Sequence, residues 1–391
     1  MRIHDLPSAP HRGGRPRRRP GVSGLRSAVR ALPPAAWLIA TLLLSRVAAA
    51  VELRTYSITV DPAQFQSILD NPEENLYLDC TFEYGDSTWN NVRIRLRGES
   101  SREYPKKSFK INFDADARFF GRDKINLISE WKDPTYSREY LSYDLFHRAG
   151  LPASRTWFAR FYVNGEYLGL YLDVENIDEH FLAMTSLDNG SSIYKADGNR
   201  SMLTPQDPEG VWQKKTNEET GEYDLLDLID WLAATPDETF FQGLEERFEV
   251  NTLARAIAVN SLVGNSSTYY HNYFLVHDLD RGGKWAWLPW DMDRTFVFWS
   301  NSDEPEYFRC GHPLYRRINA LLRRCWRDKT MRGLIFQHLD GMLDSLFVES
   351  YYQEVTDTLA TLLRDAVEED TLKQYTLQDF QDYLARIPSD V

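Results

Sequence analysis

Two acidic residues follow directly after an apolar, aromatic stretch in the second half of the chain. Residues 283–290 read GKWAWLPW, which is typical of a buried strand, and Asp291 and Asp293 come next. Two carboxylates this close repel each other unless a cation lies beside them. Three interpretations are therefore open. Both acids face water at a strand end, as an isolated D-x-D favours, or they bind a divalent metal ion, or they pair with a basic partner.

The residues before this strand supply a polar loop. A helix is predicted over 252–262, followed by polar residues up to Asn272, a strand from Tyr273 and a turn at 280–283. A helix, a polar loop, a hairpin and an acid-tipped strand occur in this order in protein kinases. There a loop asparagine and a strand-end aspartate hold the metal ions around the phosphates.

Basic residues surround a turn of small residues in the first half of the chain. Alternation over 92–97 places Arg95 and Arg97 on one face of a strand, and the turn 98–101, GESS, follows. Backbone N–H groups of such a turn can bind an anion. The alternative for Arg95, Arg97 and Lys106 is a solvated basic face.

A strand predicted over 105–113 carries a lysine on its apolar face. Lys107 falls on the same face as Phe109, whereas Lys106 points the other way. An unpaired buried ammonium group is costly, so we expect Lys107 to have an anionic partner. The candidates are a phosphate and Glu175, which ends the second strand of a predicted aromatic hairpin.

The first fifty residues are typical of an export signal. An arginine-rich start precedes the apolar segment 35–44, and small residues stand at Ala48 and Ala50. The apolar segment is short for a membrane span, so we predict cleavage after Ala50 and no stable span afterwards. The expected location is extracytoplasmic: secreted, periplasmic or on the cell surface.

The charge balance argues against a nucleic-acid partner. Residues 1–50 hold nine of the 45 Lys and Arg and one of the 58 Asp and Glu, which leaves 36 basic and 57 acidic residues, a net charge of −21. A strongly acidic chain repels the phosphate backbone but tolerates divalent cations.

The chain has three cysteines, without the spacing of a zinc site. Cys310 and Cys325 could form a disulfide, with Cys80 left as a buried thiol. Three buried thiols are the alternative.

Strand patterns dominate the first half of the chain and helical patterns the second. Helices are predicted over 223–234, 238–248 and 252–262. We predict an α+β fold with two lobes, a β-rich N-terminal lobe at 51–205 and a mainly helical C-terminal lobe at 206–391.

Three motifs, in this order, link the chain to a known family: RLRGESSREYPKKSFKI, YVNGEYLGLYLDVENIDEHFL and NYFLVHDLDRGGKWAWLPWDMDRTF. With them the chain resembles the CotH kinase-like family, named for a bacterial spore-coat protein, from about residue 53 to beyond 296. The resemblance implies an atypical protein-kinase fold. It also implies transfer of phosphate from ATP, with Mg²⁺ or Mn²⁺, to Ser or Thr of proteins outside the cytoplasm. Some members of the family are surface adhesins.

Carried over residue by residue, the resemblance implies a nucleotide site. Asn272 and Asp291 become metal ligands, with Asp293 added by the charge argument, and Glu175 becomes the acid of the upper lobe. The residues expected near the phosphates are Arg97, Gly98, Ser100, Ser101, Lys106 and Lys107.

The chain departs from the kinase pattern at the catalytic base. That base is an aspartate five residues before the metal-binding asparagine, and here the position is Ser267. A serine hydroxyl does not accept a proton at neutral pH without a base of its own. The metal and phosphate positions are thus present, while the expected base is absent.

Three hypotheses follow. The first is an exported protein kinase, and the second is a nucleotide-binding pseudokinase, adhesion or coat protein of the same fold. The third is a glycoside hydrolase that uses two of Glu175, Asp291 and Asp293 beside aromatic sugar platforms, in which the basic residues near Gly98 have no role.

Overall fold

A closed barrel of seven strands forms the first half of the structure, a computed structural model that describes residues 51–265, 267–279, 282–296 and 319–391. The predicted signal peptide, residues 1–50, lies outside the described residues. The strands are β1 (Leu53–Val60), β2 (Leu78–Tyr84), β3 (Ser87–Arg97), β4 (Ser108–Phe113), β5 (Lys124–Ile128), β6 (Thr156–Val163) and β7 (Glu166–Val174).

The barrel closes by parallel pairing of its first and sixth strands. The strand order is β1-β2-β3-β4-β5-β7-β6, and β1 pairs with β6 in parallel while the other neighbours are antiparallel. Alternating residues of these strands point inward and form one hydrophobic cluster. The outward-facing residues of β3, β4 and β5 therefore remain available for a polar surface.

A second sheet has four strands in the order β11-β10-β8-β9. They are β8 (Ser192–Ala196), β9 (Trp212–Lys214), β10 (Tyr273–Asp278) and β11 (Lys284–Pro289). Trp285, Trp287 and Leu288 are buried, as expected for the apolar stretch. This sheet packs in a hydrophobic cluster separate from the barrel interior, together with most of the helices.

The described helices lie mainly in the second half. They are α1 (Pro62–Asp70), α2 (Arg138–Arg148), α3 (Glu179–Met184), α4 (Tyr223–Ala234), α5 (Phe240–Arg247), α6 (Val250–Leu262), α7 (Ala320–Arg327), α8 (Lys329–Leu343), α9 (Glu349–Glu369) and α10 (Leu377–Asp390). None of these described helices has the length and apolar character of a membrane span.

The predicted α+β fold class, β-rich in the first half and mainly helical in the second, is confirmed. The lobe division at residue 205 stays a prediction. β8 lies before it in sequence and pairs with β10, which lies after it. Cys80 and Cys325 are buried free thiols, and Cys310, the other half of the predicted bridge, lies outside the described residues.

A buried ionic group lies inside the barrel wall. The Asp173 carboxylate receives two hydrogen bonds from the Arg122 guanidinium, at 2.9 and 2.8 Å, and one from the Tyr56 hydroxyl at 2.9 Å. Asp173 and Tyr56 are fully buried. A buried charge stabilises a fold only when its lone pairs are satisfied, so each of these bonds matters for stability.

We expect Tyr56→Phe to lower the free energy of unfolding by about 1.5 kcal/mol, because it removes a hydrogen bond to a buried charge. Urea unfolding measures this. The matched control is Tyr84→Phe, whose hydroxyl donates to the exposed Glu52 at 3.2 Å and whose loss should cost less than about 0.5 kcal/mol. Equal losses in the two variants would contradict the role of the barrel group.

Candidate functional site

The hairpin β10–β11 brings Asn272 and Asp291 to the same end of the second sheet. Tyr273 pairs with Pro289, so the residues just before β10 and just after β11 are neighbours. Asn272 has φ 58° and Asp291 has φ 56°, both in the left-handed region. Among non-glycine residues, Asn and Asp adopt this region most easily, so the residue types suit the backbone.

Ser267 joins the two. Its Oγ accepts a hydrogen bond from Asn272 Nδ2 at 3.3 Å and lies 3.5 Å from the main-chain oxygen of Asp291. The same hydroxyl lies 3.2 Å from Asn265 Oδ1, and Ser267 is buried. The structure thus brings together three residues that the sequence singled out. The groups bonded to this hydroxyl are amides and a carbonyl, none of which is a base.

A buried glutamate at the start of α2, Glu139, contacts the turn that contains Asp291 and Asp293. Glu139 Oε1 accepts hydrogen bonds from the main-chain N–H of Met292 and from the Tyr143 hydroxyl, both at 3.1 Å. Glu139 Oε2 is buried and has no hydrogen-bond partner among the described residues. Burial, and next the charge of Asp291, raise the pKa of Glu139 to about 7.

Two more carboxylates crowd the same place. Burial, and then the charges of Asp291 and Glu139, raise the pKa of Asp293 well above its ordinary value. Glu130 has φ 49°, is buried, and neither of its carboxylate oxygens has a partner in the described part of the chain. Burial, followed by Glu139, raises its pKa well above the usual range. Sequence patterns missed Glu130 and Glu139, because a glutamate in a polar loop or a helix start normally faces water.

Arg97 is a cation that interacts with this group. Burial lowers the pKa of its guanidinium, while Asp291 and Glu139 act to raise it. Arg97 Nη1 is buried and has no partner among the described residues, and the guanidinium lies 5.8 Å from the ring centre of Trp290. Gly98 follows with φ 95°, and a Cβ there would lie 1.9 Å from Ser101 Oγ, so the tight turn requires glycine.

The residues present fit a divalent metal ion in their chemistry. Carboxylates and an amide oxygen are the ligands of Mg²⁺ and Mn²⁺, and the unpartnered Glu139 Oε2 and the crowded acids are groups that a cation would satisfy. In the described ranges no three such side chains are already gathered at metal-ligand spacing. The metal-binding roles of Asn272, Asp291 and Asp293 stay predictions.

The outer face of the barrel carries a lysine that sequence reasoning did not single out. Lys110 on β4 pairs across the strands with Arg95 and points away from the barrel interior. Burial, then the charges of Lys124, Arg97, Arg95 and Lys215, lower its pKa to about 7. No described residue makes a hydrogen bond or an ion pair with its ammonium group. Lys215 follows β9 of the second sheet, so cations of both sheets converge here.

The predicted pairing of Lys107 with Glu175 is wrong. The Lys107 ammonium donates to the main-chain oxygen of Arg102 at 2.5 Å, and Glu175 is bound by the Arg155 guanidinium and main-chain N–H. The strand begins at Ser108, so the alternation of β4 does not extend back to Lys107.

Lys106, expected on the solvent face, is instead the buried lysine. Its ammonium donates to Asp370 Oδ2 at 2.7 Å and to the main-chain oxygen of Leu170. Its side chain is fully buried in this conformation, so it does not reach the face of Lys110. The roles of Lys106, Lys107 and Glu175 at a nucleotide are not supported by these contacts. The side chain of Ser100 lies outside what the structure describes.

Comparison with known proteins places the chain in a family. A profile of the family described as CotH kinase protein matches residues 94–388, which includes Arg97, Asn272, Asp291 and the C-terminal helices. The chain belongs to the CotH kinase protein family. It is 28% identical over 298 residues to the inner spore coat protein H of Bacillus subtilis, covering 74% of this chain and 81% of that protein.

More distant similarities extend to a fungus and to a solved structure. The invasin CotH2 of Rhizopus delemar is 24% identical over 266 residues, 63% of this chain and 44% of the invasin, so the chain spans less than half of the invasin's length. The proinflammatory kinase CtkA of Helicobacter pylori overlaps 81% of this chain and 92% of its own, with 8% identity and a TM-score of 0.26.

We expect Lys110→Met to stabilise the ligand-free protein near pH 6.5 and to lose this advantage near pH 9.5. The folded-state pKa of Lys110 is about 7 against an ordinary 10.5, so the unfolded chain binds more protons between these values. Wild-type stability therefore gains a contribution as pH rises through this window. Urea unfolding at about pH 6.5 and 9.5 measures it.

The matched control is Lys132→Met, at an exposed lysine beside Tyr104, which should leave the wild-type pH profile unaltered. A Lys110→Met profile parallel to that of the wild type would show that Lys110 is not crowded by the neighbouring cations.

Proposed function

We propose that the protein is a metal- and ATP-dependent protein kinase of the CotH type that acts on Ser or Thr of extracytoplasmic or surface proteins. The proposal rests on one observation: the Ser267 hydroxyl contacts both Asn272 and Asp291 at one end of the hairpin, and Arg97 interacts with Asp291. A loop asparagine and an aspartate are the residues that hold the metal ions in protein kinases.

The remaining polar groups suit the phosphates. Arg97, the turn at Gly98 with its main-chain N–H groups, and Lys110 lie on or beside the outer face of β3 and β4. Phosphoryl transfer depends mainly on positioning and charge neutralisation, and these groups supply both. Asn272, Asp291 and Asp293 would hold the divalent ion, which would add positive charge to that of Arg97 and Lys110, and ATP would supply the phosphoryl group.

The site is least suited to removing the proton from the acceptor hydroxyl of the substrate protein. Ser267 occupies the position of the base, and its bonded neighbours are Asn265, Asn272 and the Asp291 carbonyl. The proposed kinase is therefore slow, because general-base assistance contributes about 10²- to 10⁴-fold in rate.

A second candidate function is a nucleotide-binding pseudokinase with a coat or adhesion role. None of the described groups bonded to Ser267 is a base, which favours this candidate, and so do the names of relatives, an inner spore coat protein and an invasin. Both candidates agree with an exported protein at a surface or coat.

The hydrolase hypothesis has less support, because Arg155 holds Glu175 and the cations near Asp291 have no role in it.

We expect Asp291→Asn to abolish Mg·ATP binding and any phosphate transfer. Asparagine keeps the left-handed backbone conformation but removes the charge that a metal ion needs. Isothermal titration with Mg·ATP or Mn·ATP, and transfer of label from radioactive ATP, measure both effects. The control Asp328→Asn removes the same charge at the start of α8 and should bind as the wild type. Normal binding by Asp291→Asn would mean that the nucleotide site is elsewhere.

We expect Ser267→Asp to raise the transfer rate by about 10²-fold or more, with little change in Mg·ATP affinity. A base acts on the transition state rather than on ground-state binding. The control Ser267→Asn has nearly the same shape and hydrogen-bonding reach but no base, and should remain slow. If both variants are equally slow although folded, the base lies elsewhere or the protein is a pseudokinase.

A further inference from the structure

We propose that Asp370, at the end of α9, is a positioning residue for the phosphate-binding turn that begins at Gly98. This rests on the proposed nucleotide site and adds to it a residue far away in sequence. Asp370 and its partner Lys106 are separated by 264 positions, and both side chains are fully buried.

The Asp370 carboxylate is saturated with hydrogen bonds. Oδ2 accepts from Lys106 Nζ at 2.7 Å and from the main-chain N–H of Leu170 at 3.1 Å, with the Tyr136 hydroxyl at 3.5 Å. Oδ1 accepts from the main-chain N–H of Leu372 at 3.0 Å. These donors come from the barrel, the loop before α2 and the segment after α9, so the carboxylate joins three parts of the chain.

The barrel wall is shaped around this carboxylate. Gly169 on β7 has φ 143°, and a Cβ at this position would lie 2.7 Å from Asp370 Oδ2. The pairing of β6 and β7 shifts register just beside Gly169, between Phe161 and Tyr162. On the other edge of β7, β5 pairs only as far as Leu172, opposite Ile128, so the main-chain N–H and C=O of Leu170 lie beyond this pairing and meet Asp370 and Lys106.

A chain of bonds leads from this pair to the proposed phosphate site. Lys106 is followed by Lys107, whose ammonium donates to the Arg102 main-chain oxygen at 2.5 Å. The Arg102 guanidinium in turn donates to the Gly98 main-chain oxygen at 2.8 Å. Gly98 follows Arg97, the cation beside Asp291. Asp370 therefore fixes the segment 98–107 at Lys106. The hydrogen bonds of Lys107 and Arg102 connect Gly98, at the other end of this segment, to Lys106.

Stability alone is a poor reason for this ion pair. Withdrawing two charges from water costs free energy that their attraction only partly returns, and apolar pairs of similar volume are often as stable. A directional pair does fix geometry: Lys106 binds two defined oxygens and lies 4.9 and 4.6 Å from the ring centres of Tyr136 and Tyr171. Fixed geometry is what a main-chain anion site requires, because its N–H groups act only when they point together.

The experiment compares two buried carboxylates that contact the same barrel, Asp370 after α9 and Asp173 on β7. Asp370→Asn removes the charge that fixes Lys106, and Asp173→Asn removes the charge that pairs with Arg122, on the other buried pair. Both variants should lower the urea midpoint. Only Asp370→Asn should weaken Mg·ATP binding, by about tenfold in isothermal titration, and speed amide hydrogen exchange at residues 98–107.

Two outcomes overturn the positioning role. One is Asp370→Asn that binds Mg·ATP and exchanges at 98–107 as the wild type does. The other is an equal loss of Mg·ATP affinity in both variants, which would reflect stability alone. No Mg·ATP binding by the wild type would instead overturn the proposed function, together with this role.

A double variant covers the case in which Asp370→Asn does not fold. Lys106→Met with Asp370→Leu removes both charges, so no unpaired ammonium remains in the barrel wall. It should fold, yet show the same loss of Mg·ATP affinity and the same faster exchange at 98–107. Wild-type values in a folded double variant would show that any apolar filling serves equally well.

Discussion

Repulsion among carboxylates packed at one point is the constraint on which the rest of the site depends. Glu139 and Asp293 have raised pKa values because they are buried near Asp291, and Glu130 lies against the same group. Exposure to solvent would weaken the repulsion among these carboxylates, yet the chain buries them. The arrangement is costly in the ligand-free protein, and a bound cation would reduce this cost, which is the electrostatic argument for the proposed metal-nucleotide site.

The outer face of the barrel around Lys110 carries an excess of positive charge. Lys110 lies among Lys124, Arg97, Arg95 and Lys215, and burial followed by these charges lowers its pKa to about 7, although Asp123 and Asp178 pair with Lys124. A metal ion would interact favourably with the acidic group and the phosphates of a nucleotide with the basic one, so the proposed metal-nucleotide complex would match both together. A bare sugar satisfies neither, which is a physical reason to rank the kinase and pseudokinase hypotheses above the hydrolase.

Contacts of the site between residues on adjacent strands could be predicted from the sequence, whereas contacts between residues far apart in the sequence could not. Asn272 and Asp291 meet because a hairpin joins two adjacent strands, and a glycine turn between apolar runs indicates that from sequence. Alternation failed one step beyond a strand: β4 begins at Ser108, so extending its period exchanged the roles of Lys106 and Lys107. The fold class followed from strand patterns before helical ones. The barrel's closure did not, since parallel pairing of β1 with β6 has no local sequence signal.

The partners of buried charges were the least predictable feature, and the physical reason is general. A buried lysine indicates that an anionic partner is needed but not where this partner lies in the sequence. Residues near to it and far from it in the sequence can form the ion pair equally well. Lys106 is paired with Asp370, in a polar stretch after α9 that resembles an exposed helix end. The nearby Glu175 was the simpler candidate, yet Arg155 already saturates it. The family profile runs to residue 388, past Asp370, so the tail helices belong to the same domain as the barrel they contact. Through the proposed role of Asp370, a residue after α9 would contribute to the geometry of the turn at Gly98, and α9 and α10 are part of the CotH family domain rather than an appendage.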